Sequence, residues 1–386
     1  MADLEDAGPV DESGYRGVQF IEHGRKLNQW ELDHPAVLDL LRQSEFYYIS
    51  RLRRLHLDQA LLEALIERWR RETQTFYFRH GEMTITLQDV AVISGLRVDG
   101  APVIGTTVYP WPDICQALLG VVLDDIRAGQ IRLDWIYQQF HHLHLDALVG
   151  LVAATARAYI LYQIGCSLFP NPTGYRVHLK WLPLIADFDA CGTLAWGAAA
   201  LAYLYRALGS AALKGKVECC CFATLVQIWA WDHLHVGQPT NAGAVADMAD
   251  CPMGCRYDII LAFSQMTWRP YTYAIIDTLP AFCVQGSEVW RSRTTLICFH
   301  IVELHVPDRV LQQFGLLQHI PIPVETIRRY TSQGRPDEDW AHFHAAHIER
   351  WGDRLQAIID QHPIVGDDPV QATSIYMEWY WQITRR

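Results

Sequence analysis

Residues Ala147-Leu148-Val149-Gly150-Leu151-Val152-Ala153-Ala154-Thr155-Ala156-Arg157-Ala158-Tyr159-Ile160-Leu161-Tyr162-Gln163-Ile164 form the most apolar run of the chain. Its length approaches the roughly 20 residues that a bilayer span needs. Arg157 sits near its middle, however, and a guanidinium at mid-span is costly in lipid. The run therefore reads as a buried helix, not a membrane span. Outward from it the periodicity stays helical, with helices expected near 113–128, 133–141, 145–165, 193–209, 217–235, 255–266, 288–302, 340–360 and 369–383. Upstream, Pro35 opens one helix, and Asp58 opens another with Leu61, Leu62, Leu65, Ile66 and Trp69 on one face. The pattern breaks once: Thr75-Phe76-Tyr77-Phe78-Arg79, a turn at His80-Gly81-Glu82, and Met83-Thr84-Ile85-Thr86 read as a small β-hairpin. Thr86 with Asp89 then opens a helix that Gly95 ends. Loops fall at 166–180, 236–256 and 331–339, none long and polar enough for a domain linker. The expected fold class is mainly α, a single compact helical domain with one hairpin in its N-terminal third.

Composition narrows the function classes. The chain has 386 residues, 50% hydrophobic and 19% charged, which excludes a largely disordered protein. Lys+Arg number 32 against 43 Asp+Glu, a net charge of −11, so a strongly basic nucleic-acid binder is disfavoured for the chain as a whole. Asp3, Glu5, Asp6, Asp11 and Glu12 make residues 1–19 an acidic, disordered arm by expectation. Ten cysteines are too few for a disulfide scaffold, and the first residues show no signal peptide. These facts point to a reducing compartment, cytosol or nucleus.

Possible chemistry is scattered. Cys219-Cys220-Cys221, Cys251-x3-Cys255 and His233-x-His235 are metal-ligand types, but no CxxC pair is present. Cys251, Cys255, His233 and His235 are kept as metal candidates against the simpler reading of buried thiols. His342-x-His344-x2-His347 reads as a polar helix face. Asp187 and Asp189, with Asp124, Asp125, Asp232, Asp247, Asp250, Glu303 and Asp308, are the carboxylates that a metal-dependent nuclease site would draw on. They read more simply as caps and loops, because no run of buried strands offers a sheet to carry them. GxSxG, GxxxxGK[ST], GxGxxG and HExxH are all missing from the sequence. Short basic stretches (Arg51 to Arg54, Arg68 to Arg71, Arg328-Arg329, Arg385-Arg386) read as solvated helix faces. Trp268-Arg269-Pro270-Tyr271 is different, because Pro270 forces a corner that sets a guanidinium between aromatic faces.

Several blocks, in order, resemble a known family. They are Trp69 to Phe76, Gly81 to Val90, Gly95 to Gly100, Arg176 to Pro183, Trp196 to Leu208, Gln227 to Trp231 and Trp268 to Tyr271. Glu303-x-His305-x-Pro307-Asp308-Arg309-Val310-x3-Phe314-Gly315 and Tyr376 to Tyr380 complete the series. The pattern is similar to the plant mobile domain, the aminotransferase-like domain of MAIN-like proteins and of the long form of plant serine/threonine phosphatase 7. The resemblance covers residues 20–386. It implies a non-catalytic nuclear protein-interaction module in transposon silencing, gene-expression control and meristem maintenance, acting with a phosphatase-7-like partner. The alternative is a nucleic-acid-binding, degenerate transposase-like protein derived from a mobile element. No catalytic constellation or cofactor is assigned, and Lys180, Lys214 and Lys216 lie in no recognisable pyridoxal-phosphate context. Trp268, Arg269, Tyr271, His305 and Arg309 are expected to share one polar, partner-binding cluster, with Glu303 or Asp308 as counter-charge.

Overall fold

The computed structural model describes residues 17–52, 55–122, 125–172, 174–213, 215–236, 238–239, 251–256, 261–262, 266–331, 337–359 and 372–384. The acidic segment 1–16, Asp124, Asp247, Asp250, Lys214, Arg53-Arg54, Arg385-Arg386 and most of the helix expected at 255–266 lie outside these residues.

The mainly helical single-domain expectation, with β-structure confined to one hairpin, does not hold. The protein is about 50% helical with 13% strand, spread over several small sheets. In chain order the strands are β1 (Gln19–Ile21), β2 (Trp69–Arg70), β3 (Thr75–Phe78), β4 (Gly81–Met83), β5 (Gln130–Arg132), β6 (Arg176–His178), β7 (Glu218–Cys220), β8 (Gln238–Pro239), β9 (Leu261–Ala262), β10 (Thr294–Cys298) and β11 (Ile301–His305). The expected hairpin is present as β3 and β4, with β2 added on its other edge. β1 pairs parallel with the distant β7, and β5 and β8 pair antiparallel with β6 and β9.

The largest correction lies at 288–302, expected as a helix. A short 3₁₀ turn at Ser287–Arg291 leads instead into the antiparallel β10–β11 pair, joined through Phe299 and His300. Every residue of both strands is buried, so neither shows the apolar–polar alternation of a one-sided strand. The hairpin packs against the Trp196–Ala211 helix. The start of that helix lies against the 96–98 segment, where a Cβ on Gly197 would sit 3.0 Å from Arg97 O.

Other boundaries follow local chemistry. The helix expected at 113–128 ends at Leu119, because Gly120 turns left-handed at φ 73°. The expected 217–235 helix begins only at Ala223, after β7. The Leu87–Ser94 helix carries the expected capping box: the Thr86 hydroxyl accepts from Asp89 N, and the Asp89 carboxylate accepts from Thr86 N at 2.6 Å. Gly95 closes it at φ 72°.

The apolar run lies in the Val149–Gln163 helix, which continues into a wider turn at Ile164–Leu168. By length and composition this helix could cross a membrane, but most of it is buried within the protein. Arg157 stays on it by donating to Ala186 O at 2.7 Å and to Leu118 O at 3.2 Å. Aromatic contacts tie the helices together, among them Phe46 on Trp196 at 5.1 Å and Phe76 on Trp229 at 5.0 Å.

Candidate functional site

Pro270 does make a corner, and its neighbours leave it in three directions. Trp268 is buried against β4, where a Cβ on Gly81 would lie 3.1 Å from the indole. Arg269 stacks on Tyr273 at 4.5 Å and packs beside Gly315. Tyr271 turns inward and donates its hydroxyl to Asp232 Oδ2 at 2.8 Å.

The remaining predicted residues lie on β11 and the turn after it, and each has its own partner. Arg309 meets Glu82 of β4 through two parallel bonds, Nε to Oε2 and Nη2 to Oε1, both 2.5 Å. The geometry is the bidentate fork in which guanidinium and carboxylate match best. Both side chains are buried, and Trp379 caps the guanidinium at 5.7 Å. Tyr77, Tyr376 and Tyr380 surround Glu82. Burial pushes their phenols up, and the carboxylate adds to the shift. Arg309 therefore takes neither Glu303 nor Asp308 as counter-charge.

Glu303 is held by three donors from three parts of the chain. Gln74 Nε2 and Arg206 Nε each donate at 2.5 Å, and Arg329 Nη2 donates at 3.0 Å. Arg206 also donates to Tyr330 O and Val302 O. Asp308 accepts from Arg293 at 2.6 Å and from Ile322 N at 3.0 Å. His305 donates from Nδ1 to Ser292 O at 2.8 Å, and burial lowers its pKa to about 4. Its Nε2 has no hydrogen-bond partner among the described residues. The seven residues thus form adjoining networks rather than one open cluster.

Residues that the sequence offered for other roles, Asp232 as a nuclease carboxylate, His233 as a metal ligand and Asp89 as a cap, complete these networks. Asp232 is buried beside Tyr271. Burial raises its pKa to about 8, the Tyr271 hydroxyl opposes the shift, and the Asp89 charge adds to it. Asp89 joins in through His233, whose Nε2 lies 2.8 Å from its Oδ1. Trp229 and Tyr271 pack against the His233 ring. A carboxyl that stays protonated near neutrality avoids a bare charge in this buried site. The sequence trace of this group is the Thr86-x-x-Asp89 box followed by Trp229-x-x-Asp232-His233, polar residues inside otherwise apolar helices. Glu82, a charge on a buried strand, signals a hidden cation in the same way.

The metal candidates are used otherwise. His233 faces Asp89, and His235 meets Thr267 Oγ1 at 2.8 Å. Cys255 Sγ donates to Tyr48 O at 3.7 Å, with the Cys251 thiol beside it. Cys219 and Cys221 lie 3.7 Å apart, both buried. His344 stacks on Trp340 at 5.8 Å. Asp187 caps the Phe188–Gly192 helix, and Asp189 accepts from Gln43 Nε2 at 2.6 Å. Among the described residues no group of three or more His, Cys, Asp or Glu is placed to hold a metal ion.

A family model described as plant mobile domain matches residues 45–381. The chain is 36% identical over 394 residues to the serine/threonine-protein phosphatase 7 long form homolog of Arabidopsis thaliana, covering 93% of this chain and 29% of that protein. It is 37% identical over 401 residues to Arabidopsis thaliana Protein MAIN-LIKE 1, covering 99% of this chain and 77% of the relative. Against Arabidopsis thaliana Protein MAINTENANCE OF MERISTEMS the identity is 32% over 386 residues, covering 96% and 79%. No solved structure matches the chain. The chain thus spans under a third of the phosphatase 7 homolog and about three quarters of the other two.

Proposed function

Because the chain belongs to the plant mobile domain family, we propose that it is a protein-interaction module. It works in the nucleus in transposon silencing, gene-expression control and meristem maintenance, beside a phosphatase-7-like partner. The observation that carries this reading is a group of exposed apolar side chains just before and at the start of the most apolar helix. Leu145 is 76% exposed, Leu148 82% and Val149 85%, while Val152 and Ala154 to Ala156 one turn on are buried. Exposed apolar side chains gathered in this way at one end of a helix are what a protein contact would cover. The polar residues that might have served chemistry are instead spent on one another. The matched region also forms part of a longer relative named as a serine/threonine-protein phosphatase 7 long form homolog, which is compatible with a phosphatase-like partner.

The nucleic-acid alternative draws less support. Arg68 donates to its own helix at Ala64 O and Arg70 stacks on Tyr77, both at the surface, while Arg329 is taken up by Glu303, so these arginines are spent on neighbours within the chain.

The test is affinity purification of the tagged chain from plant nuclei, with and without nuclease, at one stated salt concentration, read by mass spectrometry. A phosphatase-like protein that survives nuclease and is lost from a Leu148→Asp/Val149→Asp variant supports the reading. Loss of all co-purifying proteins on nuclease treatment overturns it in favour of nucleic-acid binding.

A further inference from the structure

We propose that the cavity between the Trp196–Ala211 helix, the Lys216–Cys220 segment and the β10–β11 turn binds a small organic anion, through a phosphate or carboxylate group held by Arg206, Lys216 and His300. The cavity measures about 530 Å³, within the range of roughly 300–1,000 Å³ that small-molecule sites occupy. Tyr203, Arg206, Lys216, Cys220 and His300 are among its lining residues.

Three observations converge on an anion. First, Arg206 is oriented but not exhausted. Its bonds to Glu303, Tyr330 O and Val302 O use three N–H groups of the five that a guanidinium carries. The fork is thus fixed in place with donors left over, a preorganised arrangement for a phosphate or carboxylate. Second, Lys216 is exposed at the rim, and its ammonium has no ion-pair or hydrogen-bond partner among the described residues. Third, His300 lines the cavity, and its Nδ1, buried behind that wall, has no hydrogen-bond partner among the described residues. Phe299 holds the turn in the left-handed region at φ 50°.

The electrostatic surroundings agree. Burial lowers the His300 pKa to about 3, and every charged neighbour that shifts it further is a cation or a second imidazole: Lys180, Arg206, His344 and His178. Lys180 is itself held between the Trp181 and Phe299 rings at 4.6 and 4.5 Å, and burial lowers its pKa to about 8. The carboxylates facing the region are Glu303, already shared by two arginines, and Glu218 on the outer wall. Lys180 and Arg206 beside a neutral imidazole, with Lys216 at the rim, in a chain of net charge −11, are the arrangement an anionic ligand would complete.

The experiment is titration of the full chain with inorganic phosphate, adenosine monophosphate and citrate in separate arms, followed by calorimetry and by NMR of the histidine ring protons. Saturable binding below ~1 mM at low salt is expected for at least one probe. Lys216→Gln is expected to weaken it about fivefold or more by removing one cation, and His300→Gln to weaken it again. Arg127→Gln, an exposed arginine paired with Asp125 elsewhere, leaves binding unchanged. Phosphate binding as well as adenosine monophosphate would assign the site to a free anion, whereas tighter nucleotide or citrate binding would assign it to an organic one. Circular dichroism checks that the variants fold, and Lys216 carries the test if His300→Gln does not. The proposal is overturned if no probe saturates by ~10 mM, or if binding is indifferent to Lys216→Gln in a folded protein.

Discussion

At the scale of the residue, Arg309 and Glu82 show what a buried charge demands. Removing one partner leaves the other unpaired away from water, which typically costs about 3–5 kcal/mol. Arg309→Met is therefore expected to lower unfolding free energy by about that much, read by urea denaturation. The Glu82→Met/Arg309→Met double variant is expected to recover a large part of the loss. A single-variant loss below about 1 kcal/mol would mean that the pair is hydrated. Arg309 itself is visible in the sequence as a charge in a block of apolar residues. Its partner is not, because Glu82 lies 227 positions away and a long-range pair leaves no spacing pattern. Arg206 escaped notice for a related reason, since on the helix it reads as one exposed position among alanines.

At the scale of the element, two glycines with nearly the same backbone separate strain from crowding. Gly95 and Gly120 both close helices in the left-handed region, at φ 72° and 73°. A Cβ on Gly120 meets nothing within 4 Å, so Gly120→Ala is expected to cost only the backbone term, about 1 kcal/mol. A Cβ on Gly95 would stand 2.6 Å from Pro252 and 2.9 Å from Phe282. Gly95→Ala should therefore cost at least about 1–3 kcal/mol more. Thermal unfolding of the two variants side by side measures the difference, and equal losses would show that the Pro252 segment yields freely. The caps at Thr86 and Gly95 and the β3–β4 hairpin were readable because they depend on neighbours in sequence. β10 and β11 were not, because strands buried on both faces lose the period-2 signal and resemble a buried helix.

At the scale of the whole molecule, the buried titratable groups set opposing pH slopes. Burial lowers the pKa of His178 and His300 to about 3, and of His305 and His344 to about 4. In the unfolded chain they return to near 6.5, so the unfolded state binds more protons over that interval. Their contribution to stability is complete above about 6.5 and is lost as pH falls toward 4. Asp232, raised to about 8, and Glu22, raised to about 7, act in the other sense. Each is protonated in the fold, so its contribution is complete below about 4 and is lost as pH rises through its folded value. The unfolding midpoint is expected to rise from pH 4.5 toward about 6.5 and to decline toward pH 8. Asp232→Asn is expected to flatten the alkaline decline, and an unchanged profile would remove Asp232 from this account. None of this was legible from composition, since a pKa shift depends on burial that only the assembled fold creates.

The order in which the ribosome delivers these parts adds a consequence. The Ser374–Thr384 helix seats Tyr380 on Phe78 O at 2.6 Å and on Gly81 O at 3.1 Å. Those contacts span 302 and 299 positions, about 15–60 s of synthesis at roughly 5–20 residues per second. During that interval the part of the β3–β4 hairpin that Tyr376 and Tyr380 cover waits open, while Glu82 gains Arg309 after 227 positions, before the final helix is made. A stop codon just before Ser374 would make the wait permanent. We expect such a product to be cleared rapidly in cells, and a pulse-chase comparison with the full chain measures its lifetime.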